Sequence, residues 1–251
     1  MPEVFASSNK HTFSEGESSA IRRVDQDSKS ETEILELMDS DPRIIREFIS
    51  HPERYSETSH GPLLSAINDS DNYLAYAVSG LRGHVEESEE FKLQGVILVN
   101  RDSNFRRGQL IRNNIVPEGT DVYEVSYTKR LDYLTKEGME VPEASAGQMA
   151  SGLRQVLTKL VAMHLETAQD NTETLGIPNF SVVAYVMDKE PFNTRSQNVL
   201  LACGFEEVDQ NKRVWYDEET EDRAPKPDRV FIVNWQKFMT LVKEKTGQPF
   251  G

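Results

Sequence analysis

The chain has 251 residues, a formal net charge of −14, 37% hydrophobic and 28% charged residues. That length fits one domain with embellishments, and that apolar fraction supports a real core while leaving part of the chain loose. So acidic a field repels a phosphate backbone, and no dense Lys/Arg block offsets it, because Arg22-Arg23 and Arg106-Arg107 are isolated pairs; nucleic acid is excluded as an expected partner.

Cys203 is the only cysteine, so no intrachain disulfide can form, which fits a reducing compartment. The first residues, MPEVFASSNKHTFSEGESS, lack the basic region and apolar core of a secretion signal. No window approaches the roughly 20 apolar residues of a membrane span. The expected location is cytoplasmic, with no membrane partner.

In chain order, residues 1–18 are polar, Ser-rich and without period, the composition of a disordered tail. Ala20 to Val24 is a short strand candidate. Ser30-Glu-Thr-Glu33 is a capping box opening a helix through Ile34, Leu35 and Met38. Asp41-Pro42 is a second helix start, followed by one face of Ile44, Ile45, Phe48 and Ile49. Tyr73 to Val78 has strand character, His84 to Glu90 is acidic and loop-like, and Phe91 to Val99 predicts a strand. Val122 to Tyr127, VYEVSY, alternates two faces and predicts another.

Lys129 to Ala146 is irregular, broken by Gly138 and Pro142. Met149, Leu153, Val156, Leu157, Leu160 and Val161 then follow helical spacing. Phe180 to Met187 is an apolar, Val-rich strand. A polar link leads to Asn193-Thr-Arg-Ser196, where Asn is a good N-cap, and the segment stops at Gly204, immediately before Phe205. Arg213 to Asp217 and Arg229 to Trp235 predict strands on either side of a charged, Pro-containing segment, and Gln236 to Lys245 a terminal helix. Strand–helix–strand over residues 122–187 implies a parallel pair with a right-handed crossover. The expected architecture is one mixed α/β sheet of about six to seven strands with flanking helices, in a single domain over residues 19–251.

The punctuation Asn193, Ser196, Leu200, Gly204-Phe205 resembles the Asn-x-x-Ala…Tyr…Gly-Phe signature that closes the cofactor domain of the GNAT superfamily of acyl-CoA-dependent N-acyltransferases. The order of elements is also similar, over about residues 20 to 235. The resemblance implies binding of acetyl-CoA or a related acyl-CoA, and acyl transfer to a primary amine through a direct ternary complex. It makes Asn193 and Ser196 contacts of the cofactor, Asn193 through the pantetheine arm. Asn193 also serves simply as an N-cap.

A helix N-terminus with small residues before it can cradle a pyrophosphate. Ala144 to Ala150 is such a stretch, and the family pattern there is Gln/Arg-x-x-Gly-x-Gly/Ala. Ser145 takes the first place, Gln148 replaces the central Gly, and Ala150 fits. The cradle would comprise Ala146, Gly147, Gln148, Met149 and Ala150, and the same stretch also reads as an ordinary loop entering a core helix. Backbone amides of the strand at 122–127, with Val125 and Tyr127 as cofactor contacts, would polarise the thioester carbonyl.

Glu124 resembles the strand carboxylate that some GNAT enzymes use as general base; the other reading is a solvent-facing Glu of a half-exposed strand. Leu200 stands where many of these enzymes place a Tyr general acid, and leucine has no proton to give. Tyr123, Tyr127 and Tyr185 are alternative acids, though strand aromatics are usually core. The rival reading is a non-catalytic GNAT-fold module that binds a partner or senses acyl-CoA. The acceptor is open between a small amine, a peptide amine and a protein lysine; the acidic charge mildly favours a cationic one, and its commoner meaning is plain solubility. His11, His51, His60, His84 and His164 show no ligand spacing, and one Cys cannot make a thiolate zinc site, so no metal is expected.

Overall fold

The computed structural model describes residues 19–24, 29, 32–33, 35–36, 73–80, 93–102, 104–129, 147–167, 179–186, 194–209, 211–215 and 228–246. The tail expected over residues 1–18, the helix at 41–49, and the loops at 84–90 and 130–146 lie outside these residues. Of the helix expected from Ser30, the described residues Thr32, Glu33, Leu35 and Glu36 are helical, and so is Lys29 ahead of the expected cap.

The strands are β1 (Ser19–Arg23), β2 (Tyr73–Gly80), β3 (Gly95–Arg101), β4 (Asp121–Lys129), β5 (Phe180–Val186), β6 (Phe205–Glu207) and β7 (Arg229–Val233). The helices are α1 (Asn104–Arg112), α2 (Gln148–Thr167), α3 (Thr194–Leu201) and α4 (Trp235–Thr246). The strands form one mixed seven-stranded sheet in the order β1-β2-β3-β4-β5-β7-β6. β4 and β5 are parallel, as the strand–helix–strand pattern requires, and β7 is antiparallel to both β5 and β6. This is the mixed α/β fold that the GNAT resemblance implies.

Contacts gather into two units, residues 1–99 with 127–156, and residues 100–126 with 157–251. In the first, β1 pairs antiparallel with β2 from Ser19↔Gly80 to Arg23↔Tyr76. Leu74 to Ser79 are buried without alternation, the mark of a strand covered on both faces. Gly152 of α2 lets helix and sheet approach closely, because a Cβ there would lie 3.1 Å from both methyl groups of Val78. The buried polar face of α2 is matched to β1: Ser19 donates through Oγ to Ser151 at 2.8 Å, and Gln155 donates to the Ser19 carbonyl at 2.7 Å.

In the second unit, Leu110, Val116, Val122, Val183, Val214 and Val230 form one buried cluster. Beyond α3 the chain turns at Gly204, with φ of +79°, and a Cβ there would stand 2.9 Å from the backbone nitrogen of Phe238. Glycine is therefore demanded twice, by conformation and by close approach. Asn234 caps α4, its Oδ1 accepting from the Lys237 amide at 3.1 Å, while its own amide donates to the Gly204 carbonyl at 3.0 Å.

Two expectations are corrected. α1 has no counterpart in the sequence reading. Its buried residues Arg106, Gln109 and Leu110 keep helical spacing, but two of the three are polar, so no apolar stripe marks it. Of the strand expected at 213–217, the described residues 213–215 carry one bridge, Val214↔Asp228. Side chains of α1 hold that segment instead. Gln109 both donates to the Trp215 carbonyl at 3.0 Å and accepts from its amide at 2.8 Å, and Asn113 donates to the Arg213 carbonyl at 3.1 Å. The sheet is completed by β6, directly after Gly204.

Candidate functional site

The parallel pairing of β4 with β5 covers Asp121↔Phe180, Val122↔Ser181, Tyr123↔Val182 and Glu124↔Val183, and stops there. Both strands continue, β4 to Lys129 and β5 to Val186. From Val183 to Val186, β5 pairs on its other edge with β7. Among the described residues, β4 beyond Glu124 therefore has no registered partner in β5. Burial along β4 changes at the same place: Val122, Val125 and Thr128 are buried, so the two-residue alternation read from VYEVSY slips between Glu124 and Val125.

Glu124 sits at that last pair, on the face turned to α1. Arg106 of α1 donates from Nη1 to Glu124 Oε1 at 3.0 Å, and the side chains are 6% and 21% exposed. The Arg106 guanidinium carbon lies 4.2 Å from the Tyr185 ring centroid. Tyr185, on the same face of β5 as Val183, donates its hydroxyl to Asp102 Oδ2 at 2.5 Å. Asp102 follows β3, and its amide donates to the Val122 carbonyl at 3.0 Å.

Burial alone would pull the Arg106 guanidinium down, but Glu124 first, then Tyr185, Asp228 and Asp102, carry it above its ordinary value. Burial first, and then the charge of Asp102, holds the Tyr185 phenol well above its own. Tyr185 is thus a neutral hydrogen-bond donor to a carboxylate, which removes it as a ready general acid.

Tyr123 points to the opposite face. Its hydroxyl lies 3.1 Å from His164 Nε2, the His164 ring stacks on Phe180 with centroids 4.0 Å apart, and Trp235 meets Phe180 edge-on while donating from Nε1 to the Phe180 carbonyl at 2.9 Å. Burial lowers His164 below its ordinary value despite the opposing charge of Asp121. Burial also raises the Tyr123 phenol, with Asp121 adding to it. His164 and Tyr123 are part of the packing.

At the start of α2, Gly147 is exposed with φ of +78°, and its carbonyl accepts the first helical bond from the Ser151 amide at 2.8 Å. Gln148, Met149 and Ala150 are 3%, 8% and 6% exposed. Gln148, set by the resemblance at a glycine position, is thus packed inward. Val125 is buried, while Tyr127 and Ser196 are half-buried. Ala146 and Asn193 lie outside the described residues. Leu200 and Cys203 are core, at 1% and 0% exposure. The described residues contain no group of three His, Cys, Asp or Glu placed to share a metal ion, and none of their helices is long and apolar enough to cross a membrane.

Arg106, Asp102 and Gln109 were missed by sequence reasoning as parts of this region. The available signal was the spacing Arg106, Gln109, Leu110, which is helical once buried polar residues are allowed on the inward face.

No family model matches the chain, and no curated protein does. Among solved structures, the chain is similar to aminoglycoside N(6')acetyltransferase from Legionella pneumophila, at 13% identity over 90% of this chain and 95% of that one, with a TM-score of 0.44. It is similar to spermidine N-acetyltransferase from Vibrio cholerae in complex with CoA and spermine, at 11% identity over 88% and 98%, TM-score 0.43. A GCN5-related N-acetyltransferase from Brucella melitensis is matched at 12% identity over 96% and 86%, TM-score 0.43.

Proposed function

We propose that this chain is an acyl-CoA-dependent N-acyltransferase, transferring acetyl or another acyl group to a primary amine in a direct ternary complex. The observation that carries the reading is the end of β4–β5 pairing at Glu124↔Val183, with β4 running on past it. The Asn193, Ser196, Gly204-Phe205 punctuation supports it.

In this reading the pantetheine arm lies along the edge of β4 at Val125 and Tyr127 and is held by Asn193 and Ser196. The pyrophosphate meets residues 146–150, where the dipole of α2 favours negative charge. Glu124 takes a proton from the bound ammonium. The amine nitrogen then attacks the thioester carbonyl, a C–N bond forms, and the C–S bond breaks. The nitrogen sheds its remaining extra proton to water as the adduct collapses, and the departing thiolate takes up a proton from water, since Leu200 offers none. Alignment of amine and thioester supplies most of the acceleration.

The test is thiol release from acetyl-CoA with butylamine, 1,4-diaminobutane, a peptide bearing a free N-terminus and a lysine peptide. Transfer to at least one of them is expected, and Glu124→Gln should lower turnover by about 10²–10⁴-fold while leaving acetyl-CoA affinity unchanged. A second reading, a non-catalytic acyl-CoA-binding module, is favoured by the burial of Leu200 at the family's general-acid position. Acetyl-CoA binding without transfer to any of these amines would replace the enzyme by the module.

A further inference from the structure

Beyond the base itself, one buried cation is arranged around it in a way that packing alone does not require. Arg106 gives Nη1 to Glu124 Oε1. Its guanidinium faces the Tyr185 ring, and the Tyr185 hydroxyl is tied to Asp102. The Asp102 amide returns to β4 at the Val122 carbonyl, two residues before Glu124. The circuit starts and ends on the same strand. It fixes the guanidinium in position and plane, and through it one oxygen of the carboxylate, while Glu124 Oε2 makes no hydrogen bond to the described residues.

A buried ion pair adds little net stability over an apolar substitute, so stability gives weak reason for a guanidinium here. Orientation gives a stronger one. A glutamate side chain held at one oxygen presents the other in a fixed direction, and misplacement of a reacting group by an ångström can cost about 10²-fold in rate. From this circuit we infer that Arg106 is the positioning residue of Glu124, aiming Oε2 at the amine; the inference rests on Glu124 being the base of the reaction proposed above.

The experiment is a cycle of wild type, Arg106→Met, Glu124→Gln and the double variant, with acetyl-CoA and whichever of the four acceptors above turns over fastest. Arg106→Met should lower kcat by about 10–100-fold with the KM for acetyl-CoA unchanged. In the Glu124→Gln background the same change should alter kcat by less than about 2-fold, because a residue that acts through another loses its effect when the other is gone. Arg106→Lys keeps the charge and loses the flat fork, so an intermediate loss is expected. It also carries the cycle if Arg106→Met fails to fold in a thermal melt.

Equal fold losses in both backgrounds would overturn the positioning role and leave the acyltransferase reading standing. Transfer by wild type that is indifferent to Glu124→Gln would remove both base and positioning residue, again leaving the activity. No transfer by wild type would remove the enzyme reading and this inference with it.

Discussion

Glu124 and Val183 form the last registered pair between β4 and β5, and Glu124 is also the residue that Arg106 holds through its carboxylate. The two facts meet at one position. Where the registered β4–β5 pairs of the described residues end, the side chain is the β4 carboxylate that a buried cation holds.

Gly204 should tolerate no side chain. Gly204 and Gly119 both have positive φ, +79° and +83°, but only Gly204 has a neighbour where the Cβ would go. Gly119→Ala should cost about 1–2 kcal/mol of stability from the backbone conformation alone. Gly204→Ala should cost above about 3 kcal/mol, since the clash with the Phe238 backbone adds to the same strain. Denaturant unfolding of the two variants checks the difference, and equal losses would mean the start of α4 yields easily.

Leu200→Tyr, which installs the tyrosine that many GNAT enzymes carry at the similar position, should bring no gain in rate. Leu200 is 1% exposed, so a tyrosine there overpacks the core and buries a hydroxyl. The expected cost is about 1–3 kcal/mol from overpacking, and more if the hydroxyl finds no partner. A melting curve and a turnover assay on the same preparation separate the two effects. A faster enzyme would show that position 200 reaches the reaction after all.

Stability should fall as the medium is acidified past the ordinary histidine range. Burial lowers His164 in the folded chain below the ordinary histidine value of 6.5. The unfolded chain therefore binds the proton first. Between 6.5 and the lowered value the unfolded state holds more protons than the native one, and stability declines with falling pH. His164→Gln should flatten that part of the profile in thermal melts followed between about pH 7 and pH 5. A wild-type slope that the substitution leaves unchanged would place the titrating group elsewhere.

Much of the fold was legible because its strongest signals are local. β5 reads as an apolar run, α2 keeps its stripe from Met149 to Val161, and Gly204 stops a helix by conformation. α1 was not legible, since its inward face carries Arg106 and Gln109, whose partners at Glu124 and Trp215 lie far along the chain. The segment around Val214 looks like a strand in composition, yet Gln109 and Asn113 side chains take the backbone bonds that a neighbouring strand would have taken. Of the candidate site, Glu124 could be picked from its place in VYEVSY. The circuit that holds it could not, because Asp102, Arg106 and Tyr185 come from three separate elements.

The central claim is that this chain binds an acyl-CoA, and one calorimetric titration with acetyl-CoA tests it most directly. Saturable heat is expected, abolished by excess free CoA at the same site and weakened by roughly 1–3 kcal/mol in Asn193→Ala if the pantetheine bond is made. No heat and no thermal shift at millimolar acetyl-CoA would contradict the enzyme and the sensing module alike.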